Sequence, residues 1–174
     1  MSSPQPRSIH GPVAAVLAGL VLVGCWGGSI GSGRLAIGAP APAFSLPALD
    51  GSTVESSKLT GKPLVLNFWA TWCQPCLKEI PELKALAGSG QVNVVGVALD
   101  EEGRSTVAPF VERHQIAYTI LLGNQSVLQR FAGFGIPHTV VLDSAWRVLN
   151  VYRGPTTRAA IESDIADAAG GTQE

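Results

Sequence analysis

An unbroken apolar run, PLVLNFWA (Pro63–Ala70), stops two residues short of a closely spaced cysteine pair, Cys73 and Cys76, in WCQPC. A run so rich in β formers suits a central strand buried on both faces of a sheet. Beyond the cysteines, Leu77, Ile80, Leu83 and Leu86 recur at helical spacing, which predicts a helix from about Gln74 to just before Gly88. Pro75 suits the first turn of that helix, whereas Pro81 lies inside it and should bend it by removing one backbone hydrogen bond. The cysteines therefore sit where a buried strand hands over to a helix.

The flanking sequence predicts the remaining elements. PAFSLPALDGSTVESSKL carries two short apolar stretches around Asp50-Gly51, a turn dipeptide that marks a β-hairpin. Val92–Asp100 reads as a second buried strand, Ser105–Ile116 as a helix, Tyr118–Gly123 as a short strand and Gln125–Gly133 as another helix. His138–Asp143 and Trp146–Tyr152 read as strands joined by a brief Ser-Ala link, hence an antiparallel hairpin, and a last amphipathic helix covers roughly Thr157–Ala169. This alternation predicts an α/β fold: a mixed sheet flanked by helices, in the thioredoxin order, with an N-terminal β-hairpin and a central β/α insert.

With 174 residues, 46% of them hydrophobic, the chain has room for one domain and an appendage. Its net charge of −1 and 12 scattered Lys and Arg leave no basic patch for nucleic acid. At the N-terminus, Arg7 precedes an apolar run from Val13 to Val23, too short for a membrane-spanning helix but suited to an export signal. LVGC (Leu22–Cys25) resembles the lipobox of bacterial lipoproteins, which implies cleavage before Cys25 and its lipidation. The expected organisation is a signal peptide over 1–24, a Gly/Ser-rich tether over 25–36 and a folded domain over 37–170, exported and lipid-anchored to a bacterial membrane, facing the periplasm or cell exterior.

Three cysteines are too few for a disulfide-built scaffold, and the loop between Cys73 and Cys76 is too short to constrain an unfolded chain by much. At a helix N-terminus, free N–H groups and the positive dipole end favour a thiolate at Cys73. Cys76, one turn further in and covered, can then resolve a mixed disulfide made by an exposed Cys73. A metal site is the alternative. A closed zinc site lacks ligands, since no second CxxC or paired histidine exists; His10 lies in the signal and His114 on the outer face of its helix. His138 beside Pro137 is the one histidine placed to join both thiolates around Cu(I), which would make the chain a copper-binding assembly module. A peroxiredoxin-like thiol peroxidase is a further alternative, although Thr71 lies only two residues ahead of Cys73 and no Pro stands at the place that pattern needs.

APAFSLPALDG, GKPLVLNFWATWCQPCLKEIPEL and FGIPHTVVLD together resemble the TlpA/ResA-like thiol–disulfide oxidoreductases, a branch of the thioredoxin superfamily with a redoxin or AhpC/TSA-like domain. The resemblance runs from about Gly38 to the C-terminal helix. It implies a protein disulfide reductase that needs no bound cofactor. Its partners would be exported thiol or disulfide proteins, such as those of cytochrome c or copper-site maturation, and a membrane protein that donates electrons. Residue by residue, it implies that Cys73 is the exposed nucleophile, Cys76 its buried partner and Trp72 the tryptophan that covers the pair. Glu79 matches an acidic residue three positions after the second cysteine; helical spacing puts it beneath Cys76, where partial burial should raise its pKa and let it relay a proton. Pro137 matches the superfamily's cis-proline. His138 departs from the small residue many relatives carry there, and a titratable ring at that place would tune Cys73 near neutral pH.

Overall fold

A computed structural model describes residues 35–170. The signal-like segment, Cys25 and most of the expected tether lie outside the described residues. No helix among the described residues is long and apolar enough to cross a membrane.

β1 (Ser45–Pro47) and β2 (Thr53–Glu55) form the expected antiparallel hairpin. At its turn Gly51 takes φ 90°, and Asp50 Oδ1 accepts the Ser52 N–H at 2.8 Å. A 3-10 turn (Ser56–Leu59) leads to β3 (Leu64–Trp69), α1 (Gln74–Gly88) and β4 (Asn93–Ala98). Next come α2 (Arg104–Arg113), β5 (Thr119–Leu122), α3 (Gln125–Arg130), β6 (His138–Leu142), β7 (Val148–Arg153) and α4 (Arg158–Gly170). The main sheet has the order β5-β4-β3-β6-β7. β4 runs parallel to β3 and β5, while β6 is antiparallel to β3 and β7. This is the thioredoxin-like arrangement, with β4–α2–β5 accommodating the β/α insert.

β3 lies at the centre of the sheet and is buried throughout, as its apolar run demands. Alternation along the strand sends Leu64, Leu66 and Phe68 to one face, where α3 contributes Val127 and Leu128 and its C-cap contributes Phe131. Trp69 and Val65 face the other side, towards Ile80, Leu83 and Leu86 of α1, Val107 of α2 and Ile161 of α4. Gly96 on β4 makes room for this packing, because a Cβ there would stand 2.7 Å from Ile120 Cδ1 and 2.9 Å from Trp69 Nε1.

Three boundaries differ from expectation for local reasons. α2 stops at Arg113 because Gln115 adopts φ 52°, which no helix continues. α3 is shorter than expected because Ala132 takes φ 56°. The β6–β7 link is longer than Ser-Ala: Asp143 Oδ1 accepts the N–H groups of Ala145 and Arg147, both at 2.8 Å, and folds residues 143–147 into the connection.

Candidate active site

Cys73 is the N-cap of α1, and Pro75 occupies the first turn, where its missing N–H costs nothing. The Cys76 N–H points at Cys73 Sγ, 3.3 Å away. No acidic residue lies in the first turn of α1, so the positive end of the helix acts on that sulfur unopposed by a local carboxylate. Cys73 and Cys76 are joined as a disulfide with a Cα–Cα distance of 5.3 Å. In this oxidised form both are buried, Cys73 at 4% exposure and Cys76 at 2%. The expected contrast between an exposed and a covered sulfur is therefore nearly absent, because both pack with Ile80, Ala98 and Ile136.

Beneath the pair, Glu79 is only 2% exposed. Its Oε1 accepts the Thr156 N–H at 2.6 Å, and its Oε2 faces Asn67 Nδ2 at 3.4 Å. Asn67 Nδ2 also donates to Thr139 Oγ1 at 2.9 Å, so a buried polar chain runs from α1 across β3 to β6. Burial pushes the Glu79 carboxyl above the usual carboxylate range, and the Thr156 and Asn67 hydrogen bonds only partly oppose it. The Thr156 segment is held by its neighbours: the Arg158 N–H donates to Glu82 on α1, and the Tyr152 hydroxyl donates to Asp164 on α4. Sequence pattern located Glu79 but missed Asn67, Thr139 and Thr156. A lone Asn inside the otherwise apolar PLVLNFWA was the available signal, since a buried amide requires partners.

Asp100 was also missed. Both of its carboxylate oxygens accept the Thr71 N–H, at 3.2 and 3.1 Å, and Oδ1 accepts the Thr71 hydroxyl at 2.5 Å. This clasp ties the segment just before the cysteines to the C-terminal end of β4. Trp72, expected to cover the disulfide, is 67% exposed, so most of its ring is free to meet a partner.

The Ile136–Pro137 bond is cis. Ile136 packs beside the cysteines, and among the described residues neither its backbone N–H nor its C=O has a hydrogen-bond partner. His138 does not join the cysteines. It pairs with Phe68 across the β3–β6 ladder, its ring is 1% exposed, and it packs 5.8 Å from the Phe68 ring on the α3 side. Its Nε2 lies 2.9 Å from Phe131 O, a carbonyl that can only accept, so this nitrogen carries the hydrogen. Gly133 leaves space for the ring, since a Cβ there would lie 3.1 Å from His138 Cδ2 and closer still to Leu128. Burial pulls the His138 pKa below its ordinary value, and the nearby Arg153 charge adds to the effect. A neutral, buried His138 corrects the expectation of a ring that tunes Cys73 near neutral pH.

The copper site built from Cys73, Cys76 and His138 is corrected too. Among the described residues, no three His, Cys, Asp or Glu side chains converge as a metal-ligand set. His114, at the end of α2, stacks on Phe110 with ring centroids 4.1 Å apart.

Comparison with known proteins agrees with this geometry. A model of the AhpC/TSA family matches residues 37–155. The thiol-disulfide oxidoreductase ResA of Geobacillus kaustophilus is 33% identical over 135 residues, covering 75% of this chain and 77% of its own. ResA of Bacillus subtilis is 31% identical over 136 residues, covering 75% of each. A thioredoxin family thiol:disulfide interchange protein from Chlorobium tepidum superposes with a TM-score of 0.67 at 29% identity, over 78% of this chain and 99% of the other.

Proposed function

The chain belongs to the AhpC/TSA family and is a thiol–disulfide oxidoreductase, and from that premise we propose that Cys73 and Cys76 reduce disulfides in exported proteins. The observation that carries this reading is the Cys76 N–H aimed at Cys73 Sγ at the start of α1, with Glu79 buried one turn further on.

In the reduced protein, the helix N-terminus stabilises negative charge at Cys73 Sγ. The Cys73 thiolate attacks one sulfur of the partner's disulfide. That S–S bond breaks, the departing partner thiolate takes up a proton from water, and Cys73 is left in a mixed disulfide. Cys76 passes its proton to the Glu79 carboxylate and attacks Cys73 Sγ. The mixed disulfide breaks, the second partner thiolate is protonated, and Glu79 returns its proton to solvent. Two electrons have moved to the partner, and the Cys73–Cys76 disulfide has formed. A membrane dithiol protein then returns two electrons to restart the cycle. Trp72, adjacent to Cys73 in the chain, and the cis-Pro137 segment, whose Ile136 packs in the cysteine cluster, orient the incoming chain, and the exchange requires no bound cofactor.

The domain works outside the cytoplasm, cleaved after residue 24 and held at a membrane by lipid on Cys25. The sequence around LVGC supports this reading. Radiolabelled fatty acid should enter the full chain and be lost in Cys25→Ala; labelling that survives the substitution would remove the anchor. The resemblance of WCQPC and its flanks to the TlpA/ResA-like proteins supports reduction over oxidation. Equilibration of the full chain with dithiothreitol and glutathione buffers tests the direction. A potential near that of thioredoxin, about −270 mV, is expected, whereas one near that of DsbA, about −120 mV, would sink the reductase reading.

A further inference from the structure

Two large aromatic side chains, Trp72 and Phe134, are 67% and 77% exposed. They flank the same cavity, of about 960 Å³, which is also lined by Ile136, a residue packed against the cysteine cluster. Its walls include Asp100, Glu101 and Glu102 from the turn after β4. The segment Phe134–Ile136 separates this cavity from a second, of about 360 Å³, bordered by Pro137 and Arg153. Ile136 is common to both cavities and packs against the cysteine cluster, so the reactive pair lies next to the divide.

Charge is sorted along this surface. Three carboxylates line one side and the Arg153 guanidinium the other. Asp100 spends its hydrogen bonds on Thr71, but Glu101 and Glu102 are exposed. Among the described residues the one ion pair is Arg158–Glu162, so neither glutamate nor Arg153 is neutralised by a salt bridge there. Exposed aromatic rings bind apolar side chains with little loss of conformational freedom, and complementary charge on a rim selects partners and fixes their register.

We infer that this surface docks an extended, cysteine-bearing polypeptide in one orientation, with an apolar side chain between Trp72 and Phe134, Lys or Arg towards Glu101 and Glu102, and Asp or Glu towards Arg153. The inference rests on the disulfide-reductase reading and deepens it by giving the substrate segment a charge order. Isolated exposed aromatics are common on monomers. Here two of them share one cavity, and charge of opposite sign lines the two cavities on either side of the Phe134–Ile136 segment.

Two peptides of identical composition test it. Each carries a central cysteine capped as a mixed disulfide with 2-mercaptoethanol, a neighbouring Leu, and Lys and Glu on opposite sides; the two differ only in charge order. Their equal net charge removes non-specific attraction. The reduced full chain should react about fivefold faster with one order than with the other at low salt, as expected for two exposed charge pairs, and the preference should shrink in 1 M salt. The triple variant Glu101→Lys/Glu102→Lys/Arg153→Glu should reverse the preference. Equal rates for the two orders, or a preference that the triple variant retains, would overturn the inference. Neutral 2-hydroxyethyl disulfide separates the two failures: if it is reduced while the peptides are not distinguished, only the docking surface is wrong. If it is not reduced at all, the reductase reading and this inference fall together.

Discussion

Asn67 and Phe68 are neighbours on β3, and they face opposite sides of the sheet into two different kinds of interior. On the Asn67 side, Thr139 of β6 and Glu79 of α1 form a polar chain beneath the disulfide. On the Phe68 side, His138 of β6 is enclosed by Phe131 and Leu128 and gives its one N–H to a backbone carbonyl. Each face buries a titratable group, Glu79 on one and His138 on the other, and burial drives both towards their neutral forms. They differ in what a proton can reach. Glu79 lies one helical turn from Cys76, whereas His138 is separated from that network by the sheet. Burial alone therefore does not mark a residue as chemical; the face it occupies does.

The largest expected effect lies on the apolar face. His138→Ala removes a fully buried ring and leaves Phe131 O without its donor, which should cost roughly 3 kcal/mol of stability. Urea unfolding of the oxidised protein would measure this, and disulfide exchange by the remaining folded protein should stay within about threefold of wild type. A large loss of exchange rate without a loss of stability would break the comparison, because it would give His138 a chemical role.

Glu79→Gln should do the reverse. Exchange should slow about 100-fold, at the lower end of the range of a lost general acid–base group, while stability changes by less than about 1 kcal/mol. The amide keeps an acceptor for the Thr156 N–H but cannot take the Cys76 proton. Stopped-flow exchange across pH reads this directly, and an unchanged pH profile would remove Glu79 from the mechanism.

The two faces should also carry opposite pH dependences of stability. The folded pKa of Glu79 is raised above its ordinary 4.5, so its contribution is fully present below pH 4.5 and is lost as pH rises through the folded value. The folded pKa of His138 is lowered below 6.5, so its contribution is full above pH 6.5 and is lost as pH falls towards the folded value. Each slope is at most about 1.4 kcal/mol per pH unit. Glu79→Gln should flatten the first and His138→Gln the second, as followed by urea midpoints at a series of pH values. A slope that survives its own substitution would assign the titration to another group.

The smallest expected effect comes from the clasp ahead of the cysteines. Asp100→Asn weakens the charge-assisted bonds to Thr71 and should cost about 1 kcal/mol. Thr71→Ala, which removes the hydroxyl but keeps the N–H, should cost less. Amide exchange at Thr71 and Trp72 should rise in both variants; protection equal to wild type would mean that the loop is held by other contacts.

Much of this was legible in the chain. The apolar PLVLNFWA run placed β3 at the centre of the sheet, and the spacing of Leu77, Ile80, Leu83 and Leu86 located α1 to within a residue at its C-terminal end. Periodicity also put Glu79 on the inward face beneath Cys76. His138 was misjudged because sequence proximity to Pro137 suggested proximity to the sulfurs. Strand alternation turned its side chain to the opposite face, where Gly133 left room for it.

Local patterning by itself determined the strand–helix junction, the cysteine pair at the helix N-terminus and the carboxylate one turn beyond, because these depend on contacts among near neighbours in the chain. Only the tertiary structure decided what those groups meet. Thr156, 77 residues beyond Glu79, supplies the N–H to its carboxylate, and Asp100, 29 residues beyond Thr71, holds the loop ahead of the cysteines. Trp72 and Phe134, far apart in the chain, come to flank one cavity. These are long-range hydrogen bonds and shared surfaces set by strand order and register, which no short window of residues encodes.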